Sequence, residues 1–239
     1  MNTLFITGVS SGLGQALAEG YLSRGWTVYG LSRRIPEDLI RHDAFHHDSL
    51  DLRDHDKTPR VIAESLRGVD RLNLAILNAG TISRIEDLAN VGLDELKDVM
   101  DVNVWANKTL IDALYSVIGS VDQIVTISSG ASVNGYRGWS GYSVSKAALN
   151  MLTMLYARER PNTHFCALAP GVIDTPIQED IRKLPHDPRF PAIERIRRTR
   201  GTPDMLSPEE GAERVIAAIE RLPEVVESGE YADVRKLPE

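Results

Sequence analysis

In "GYSVSKAALN", residues 141–150, Tyr142 and Lys146 stand four apart in a stretch of small residues. On an α-helix that spacing puts both side chains on one face, a turn apart, so a phenol and an ammonium can converge on one spot. A free phenol titrates near pH ~10 and needs its phenolate favoured to exchange a proton near neutrality, which an adjacent ammonium does. The pair is either a proton donor with its tuner or an ordinary surface pair.

A second group lies near the start. "TGVSSGLG" sets Gly8, Gly12 and Gly14 after an apolar run and at the opening of an amphipathic stretch, with Ser10, Ser11 and Leu13 between them. Glycines at a first strand-to-helix turn let backbone approach a diphosphate at the positive helix terminus, although the spacing is G-x-x-x-G-x-G and such a turn can be structural only. The next apolar run ends in "YGLSRR", with Ser32, Arg33 and Arg34 where folds that take NAD place a carboxylate. Guanidinium groups pair with a 2′-phosphate that a carboxylate would repel, so the sequence favours NADP(H), with NAD(H) as the other possibility.

The elements that must position these residues follow from the hydropathy pattern. Short apolar runs at 3–7, 26–32, 72–78, 123–128 and 164–169 read as buried parallel strands, and helical patterns at 12–24, 54–67, 93–117 and 140–157 read as crossovers. A weaker strand at 44–47, a helix at 207–221 and an edge strand at 228–234 complete an α/β, single-domain, Rossmann-type doubly wound parallel sheet with helices on both faces, over residues 1–239. Residues 176–201, punctuated by proline and carrying seven arginines and lysines against four acids, interrupt the rhythm and read as an excursion over the site, a substrate lid. Those charges either meet an anionic substrate or cofactor phosphates, or form a solvated face.

With those residues in view, the chain resembles the short-chain dehydrogenase/reductase family over nearly its whole length. The motifs fall in the family's order: "TGVSSGLG", "DLRD" at 51–54, "NAG" at 78–80, Asn103, "ISS" at 127–129, Tyr142 with Lys146, and "PGVIDTP" at 170–176. The resemblance implies that Asp51 and Leu52 meet the adenine, and that Asn78, Ala79 and Gly80 support the adenosine side. It implies that Thr175, with Pro170, Gly171 and the backbone near Ile173, holds the nicotinamide carboxamide. Lys146 would also donate to the nicotinamide ribose, and Asn103 would bind a water linking Lys146 to solvent. Ser129, thirteen residues before Tyr142, matches the spacing of the serine that holds the substrate oxygen. Ser128 competes, but one step earlier on a strand it faces the other side. Family members assemble as homodimers or homotetramers, here through helices near 104–118 and 140–157.

The function expected from the resemblance is reduction of a small or aromatic carbonyl compound to an alcohol, with NADPH as hydride donor and Tyr142 as general acid. The ending "SGEYADVR" is closer to small carbonyl reductases of the sepiapterin and benzil reductase type than to acyl-carrier-protein reductases. The alternatives are an NAD(P)-dependent alcohol or hydroxysteroid dehydrogenase working oxidatively, and a dinucleotide-binding redox sensor without turnover. Tyr136, Arg137 and Trp139, in "SVNGYRGW" between Ser129 and Tyr142, are the expected substrate contacts. Composition bounds the rest. A net charge of −7 argues against nucleic acid as partner, and no apolar run approaches the roughly 20 residues of a membrane span. The lone Cys166, histidines without ligand spacing and the start "MNTLFITG" point to a cytoplasmic protein with no disulfide and no metal.

Overall fold

The apolar runs become strands because a parallel sheet covered by helices buries both faces of each strand. The computed structural model describes residues 2–238. Its strands are β1 (Thr3–Thr7), β2 (Thr27–Ser32), β3 (Phe45–Ser49), β4 (Arg71–Leu77), β5 (Ser120–Ile127), β6 (His164–Ala169) and β7 (Tyr231–Asp233). They form one all-parallel sheet in the order β3-β2-β1-β4-β5-β6-β7. Strand order reverses between β1 and β4, and in such sheets ligands bind at that switch point, beyond the carboxyl ends of the strands.

The helices are α1 (Gly12–Ser23), α2 (Thr58–Ser65), α3 (Leu93–Met100), α4 (Ala106–Val117), α5 (Ser140–Glu159), α6 (Pro176–Lys183), α7 (Pro191–Thr199) and α8 (Pro208–Val225). Alternation along the strands divides the core in two. Leu4 and Ile6 face Leu17 of α1 and Val215, Ile216 and Ile219 of α8, while Phe5 faces Ile62 of α2, Leu110 and Leu114 of α4 and Tyr156 of α5. Each such side chain, fully buried, contributes about 1.5–3 kcal/mol. The sandwich thereby holds the strand ends, and the turns that leave them, in fixed relation. No helix among the described residues is long and apolar enough to cross a membrane.

Two expectations change. The helix predicted over 93–117 is α3 and α4 joined by a π turn, Asp101–Trp105, whose extra residue shifts the phase of α4 relative to α3. The excursion at 176–201 is mostly helical. Pro176 and Pro191, which read as punctuation, each open a helix at its first position, where a missing N–H costs nothing.

Candidate active site

Tyr142 and Lys146 lie in the first two turns of α5, on the side facing the end of β5. Lys146 is 4 % exposed, and its Nζ donates to the Ile127 carbonyl at 2.7 Å and stands 5.8 Å from the centroid of the Tyr142 ring. Burial pulls its ammonium down to about 8. Tyr142 is half-buried, and burial raises its phenol above the ordinary value, opposed by a hydrogen bond with Ser129. The sequence predicts a phenolate favoured by lysine; in the folded chain desolvation of the phenolate dominates instead. Ser129 follows β5 with its hydroxyl turned to the cleft, where it also accepts from Ala131 N at 3.1 Å. Ser128 Oγ points the other way and donates to Asn150 Oδ1 of α5 at 2.5 Å.

Asn103 sits in the π turn and is fully buried. Its Oδ1 accepts from Thr81 N at 2.9 Å, and its Nδ2 donates to Thr81 O at 2.8 Å and Ser145 Oγ at 2.9 Å. Ser145 Oγ in turn donates to the Tyr142 carbonyl at 2.8 Å. The amide therefore clamps the loop after β4 to the first turn of α5. A Cβ placed on Gly80 would stand 3.3 Å from Asn103 Oδ1 and 3.5 Å from Lys146 Nζ, so a side chain there would crowd the Asn103 amide and touch the ammonium.

From this floor a cleft of about 1370 Å³ runs across the strand ends. Each residue predicted to hold a dinucleotide lines it: Gly8 to Gly14 after β1, Ser32 to Arg34 after β2, Asp51 and Leu52 after β3, Asn78 to Gly80 after β4 and Pro170 to Thr175 after β6. Asn78 ties the turns together, donating from Nδ2 to Thr7 O at 2.9 Å while Asn78 N and Ala79 N donate to Thr7 Oγ1. Gly8 has φ +78°, and a Cβ on Gly14 would fall 2.2 Å from Gly8 O. At the start of α1, Ser11 makes no side-chain cap and the first turn carries no acid, whereas α8 closes its own start with a Ser207–Glu210 capping box. The amides at the start of α1 thus fit a diphosphate.

At the adenosine end Ser32 Oγ donates to the Arg34 carbonyl at 2.7 Å and meets His47 Nε2 at 3.0 Å, so it shapes the arginine loop. Arg33 and Arg34 are exposed at the cleft edge, and neither has an ion-pair partner among the described residues. Both Asp51 carboxylate oxygens are taken by Arg53, whose guanidinium holds the acid down to about 2, with Arg33 adding to the effect.

At the other end Tyr136 and Trp139 line the cleft. Trp139 is 6 % exposed and packs on Tyr142, ring centroids 5.5 Å apart, and on Ile181 and Phe190. Arg137, between Tyr136 and Trp139 in sequence, has its guanidinium engaged by Asp87 through two bonds of 2.6 and 2.7 Å. Of the basic residues in 176–201, Arg182, Lys183, Arg189 and Arg197 are consumed by local carboxylates, and Arg195 lines the cleft.

Residues 2–185 match the short chain dehydrogenase family. The chain belongs to that family. It is 30 % identical over 99 % of its length to benzil reductase ((S)-benzoin forming) of Bacillus subtilis (strain 168), matching 99 % of that protein. It is 31 % identical to a Saccharomyces cerevisiae protein of the same description, over 86 % of this chain and 85 % of the relative. In fold it matches a short chain dehydrogenase/reductase of Saccharomyces cerevisiae with a TM-score of 0.86, covering 99 % of this chain and 97 % of that one at 22 % identity.

As a short-chain dehydrogenase the chain is an oxidoreductase acting on small molecules. The cleft brings a phenol, a hydroxyl and a buried ammonium together between the arm lined by the glycine turn and its aromatic rim. Sequence reasoning missed part of that rim: Gln178 of α6, Ile196 and Thr199 of α7, and Tyr231, Asp233 and Arg235 around β7 all line it. The signal was present in topology, because β7 pairs with β6 and so ends beside the loop at Pro170.

Proposed function

We propose that this short-chain dehydrogenase is an NADP(H)-dependent reductase of small or aromatic carbonyl compounds, with Tyr142 as general acid. The observation that carries this is the half-buried Tyr142 phenol, which lines the cleft together with Ser129 and the buried Lys146 where the dinucleotide arm meets the aromatic rim. Bound along the cleft, NADPH supplies a hydride to the carbonyl carbon. Tyr142 gives its proton to the carbonyl oxygen, and Ser129 Oγ donates a hydrogen bond to that oxygen as negative charge develops on it. Lys146 keeps donors beyond its bond to Ile127 O, which serve a ribose hydroxyl and the return of a proton to Tyr142. Run backwards, the same groups oxidise an alcohol. Kinship with proteins described as benzil reductases supports the aromatic substrate, as do Tyr136 and Trp139.

Arg33 and Arg34 carry the preference for the 2′-phosphate. Replacing both with alanine is expected to lower the ratio of kcat/KM for NADPH over NADH by about 10- to 100-fold, the scale of charge-assisted hydrogen bonds. An unchanged ratio discards the assignment.

The pH profile follows from burial. Lys146 loses its proton at about 8 in the free protein, and Tyr142 keeps its own beyond the ordinary range. With an ammonium required, kcat/KM for NADPH in reduction holds below about pH 8 and falls above it. A profile that stays flat up to the ordinary lysine value of 10.5 contradicts this role.

Assembly as a homodimer or homotetramer through α4 and α5 fits the exposed Trp105, Met151, Met154 and Leu155, and light scattering reads it directly.

A further inference from the structure

The face that α7 turns to the cleft is Ala192, Arg195, Ile196 and Thr199, the i, i+3, i+4, i+7 stripe of one helix side. Three of these are small or apolar, as suits a wall against an aromatic substrate. The fourth is an arginine at the middle of the stripe. Arg195 has no ion-pair partner among the described residues, whereas its neighbour Arg197 is turned away to Glu194 at 2.6 Å. The Arg195 guanidinium lies over the Tyr136 ring, 5.1 Å from its centroid, a contact that uses the ring face and none of the guanidinium N–H groups.

Tyr136 connects this cation to the rest of the rim. It lies within electrostatic reach of Tyr231 of β7 and of Arg235 just after that strand, both of which line the cleft. The carboxylate of that strand, Asp233, is 5 % exposed and closed by Arg235 through bonds of 2.9 and 2.6 Å. Asp233 is thus already paired, and among the α7 residues that line the cleft the charged one, Arg195, has no ion-pair partner among the described residues. Arg33 and Arg34 stand at the other end of the cleft, beyond β2, so a cofactor 2′-phosphate does not account for it.

Taking the reductase reading as its basis, we infer that Arg195 is a specificity-determining residue, selecting aromatic carbonyl substrates that also carry a carboxylate. The planar guanidinium pairs with a carboxylate through two parallel hydrogen bonds, and its contact with Tyr136 uses none of the N–H groups this needs.

Phenylglyoxylate and its methyl ester test this, since the two ketones differ in the negative charge. The protein is assayed with NADPH and each ketone, with benzil as a neutral reference, for the wild type and for Arg195→Ala, Arg195→Lys and Arg195→Glu. The wild type is expected to favour the acid over the ester in kcat/KM. In Arg195→Ala the acid-to-ester ratio falls by about tenfold or more, the scale of one charge-assisted bond, while benzil turnover and NADPH affinity stay within about twofold. Arg195→Lys recovers part of the ratio and Arg195→Glu inverts it. An acid-to-ester ratio unmoved by Arg195→Ala, or a wild type that reduces the ester and refuses the acid, overturns the inference while leaving the reductase standing. Equal loss on all three ketones assigns Arg195 to packing of α7 and overturns it too. A wild type that binds NADPH and reduces none of the three removes the reductase reading and this inference with it.

Discussion

Replacing Tyr142 with phenylalanine lowers kcat for carbonyl reduction by about 10²- to 10⁴-fold, the usual contribution of a positioned proton donor. The substitution removes one oxygen and keeps the ring, which packs on Trp139 and lies 5.8 Å from Lys146 Nζ. NADPH affinity is expected to stay within about twofold, because the diphosphate and adenosine contacts lie elsewhere and charge-assisted bonds dominate that binding. The melting temperature is also expected to hold, since the lost hydroxyl lies at a cleft wall and not in the sealed core. Steady-state kinetics beside fluorescence titration separate the two effects. Retention of more than a few per cent of wild-type kcat, with intact cofactor binding, would remove Tyr142 from the chemistry.

Changing Gly14 to alanine is expected to destabilise the fold by about 3 kcal/mol, the upper end of overpacking costs, and to weaken NADPH binding with it. The new Cβ would stand 2.2 Å from Gly8 O and 2.4 Å from Asn78 Nδ2. Neither neighbour can yield cheaply: one is backbone of the turn, and the other donates to Thr7 O. Relief requires α1 to lift from β1, which pulls its amino terminus away from the diphosphate position. For a chain of this size the loss corresponds to a fall in Tm of roughly 6 to 12 °C. Gly135, exposed and with nothing within 4 Å of an added Cβ, is the control, and Gly135→Ala should stay within about 0.5 kcal/mol of wild type. An unchanged Tm for Gly14→Ala would mean that the first βα turn is looser than its geometry.

These outcomes turn on residues legible in the sequence to different degrees. The central strands were readable because burial on both faces leaves an uninterrupted apolar run; β6 matches its predicted bounds residue for residue. The glycine turn and the Tyr142–Lys146 pair were readable because local spacing alone brings their parts together. Arg137 was not. Its place between Tyr136 and Trp139 says nothing of which way its side chain turns, and its partner Asp87 comes from 50 residues earlier. The π turn at Asn103 was hidden for a different reason: one wide turn shifts the helix phase without altering which residues are apolar. The helices of 176–201 were obscured because proline marks both a break and a first helical position, and only the packing of Ile181, Phe190 and Ile193 on Trp139 decides between them. The sequence likewise pointed to lysine as the tuner of the phenol, but burial, which sets the direction of both shifts, is a property of the folded cleft.

The most direct test of the central claim follows the hydride. The purified chain is incubated with benzil and NADPH carrying deuterium at both C4 positions of the nicotinamide, and the product is analysed by mass spectrometry. Hydride transfer in this cleft predicts benzoin with one deuterium on its carbinol carbon, formed by the wild type and not by Tyr142→Phe. NADPH bound without any label reaching a product would contradict the account and favour a dinucleotide-binding sensor.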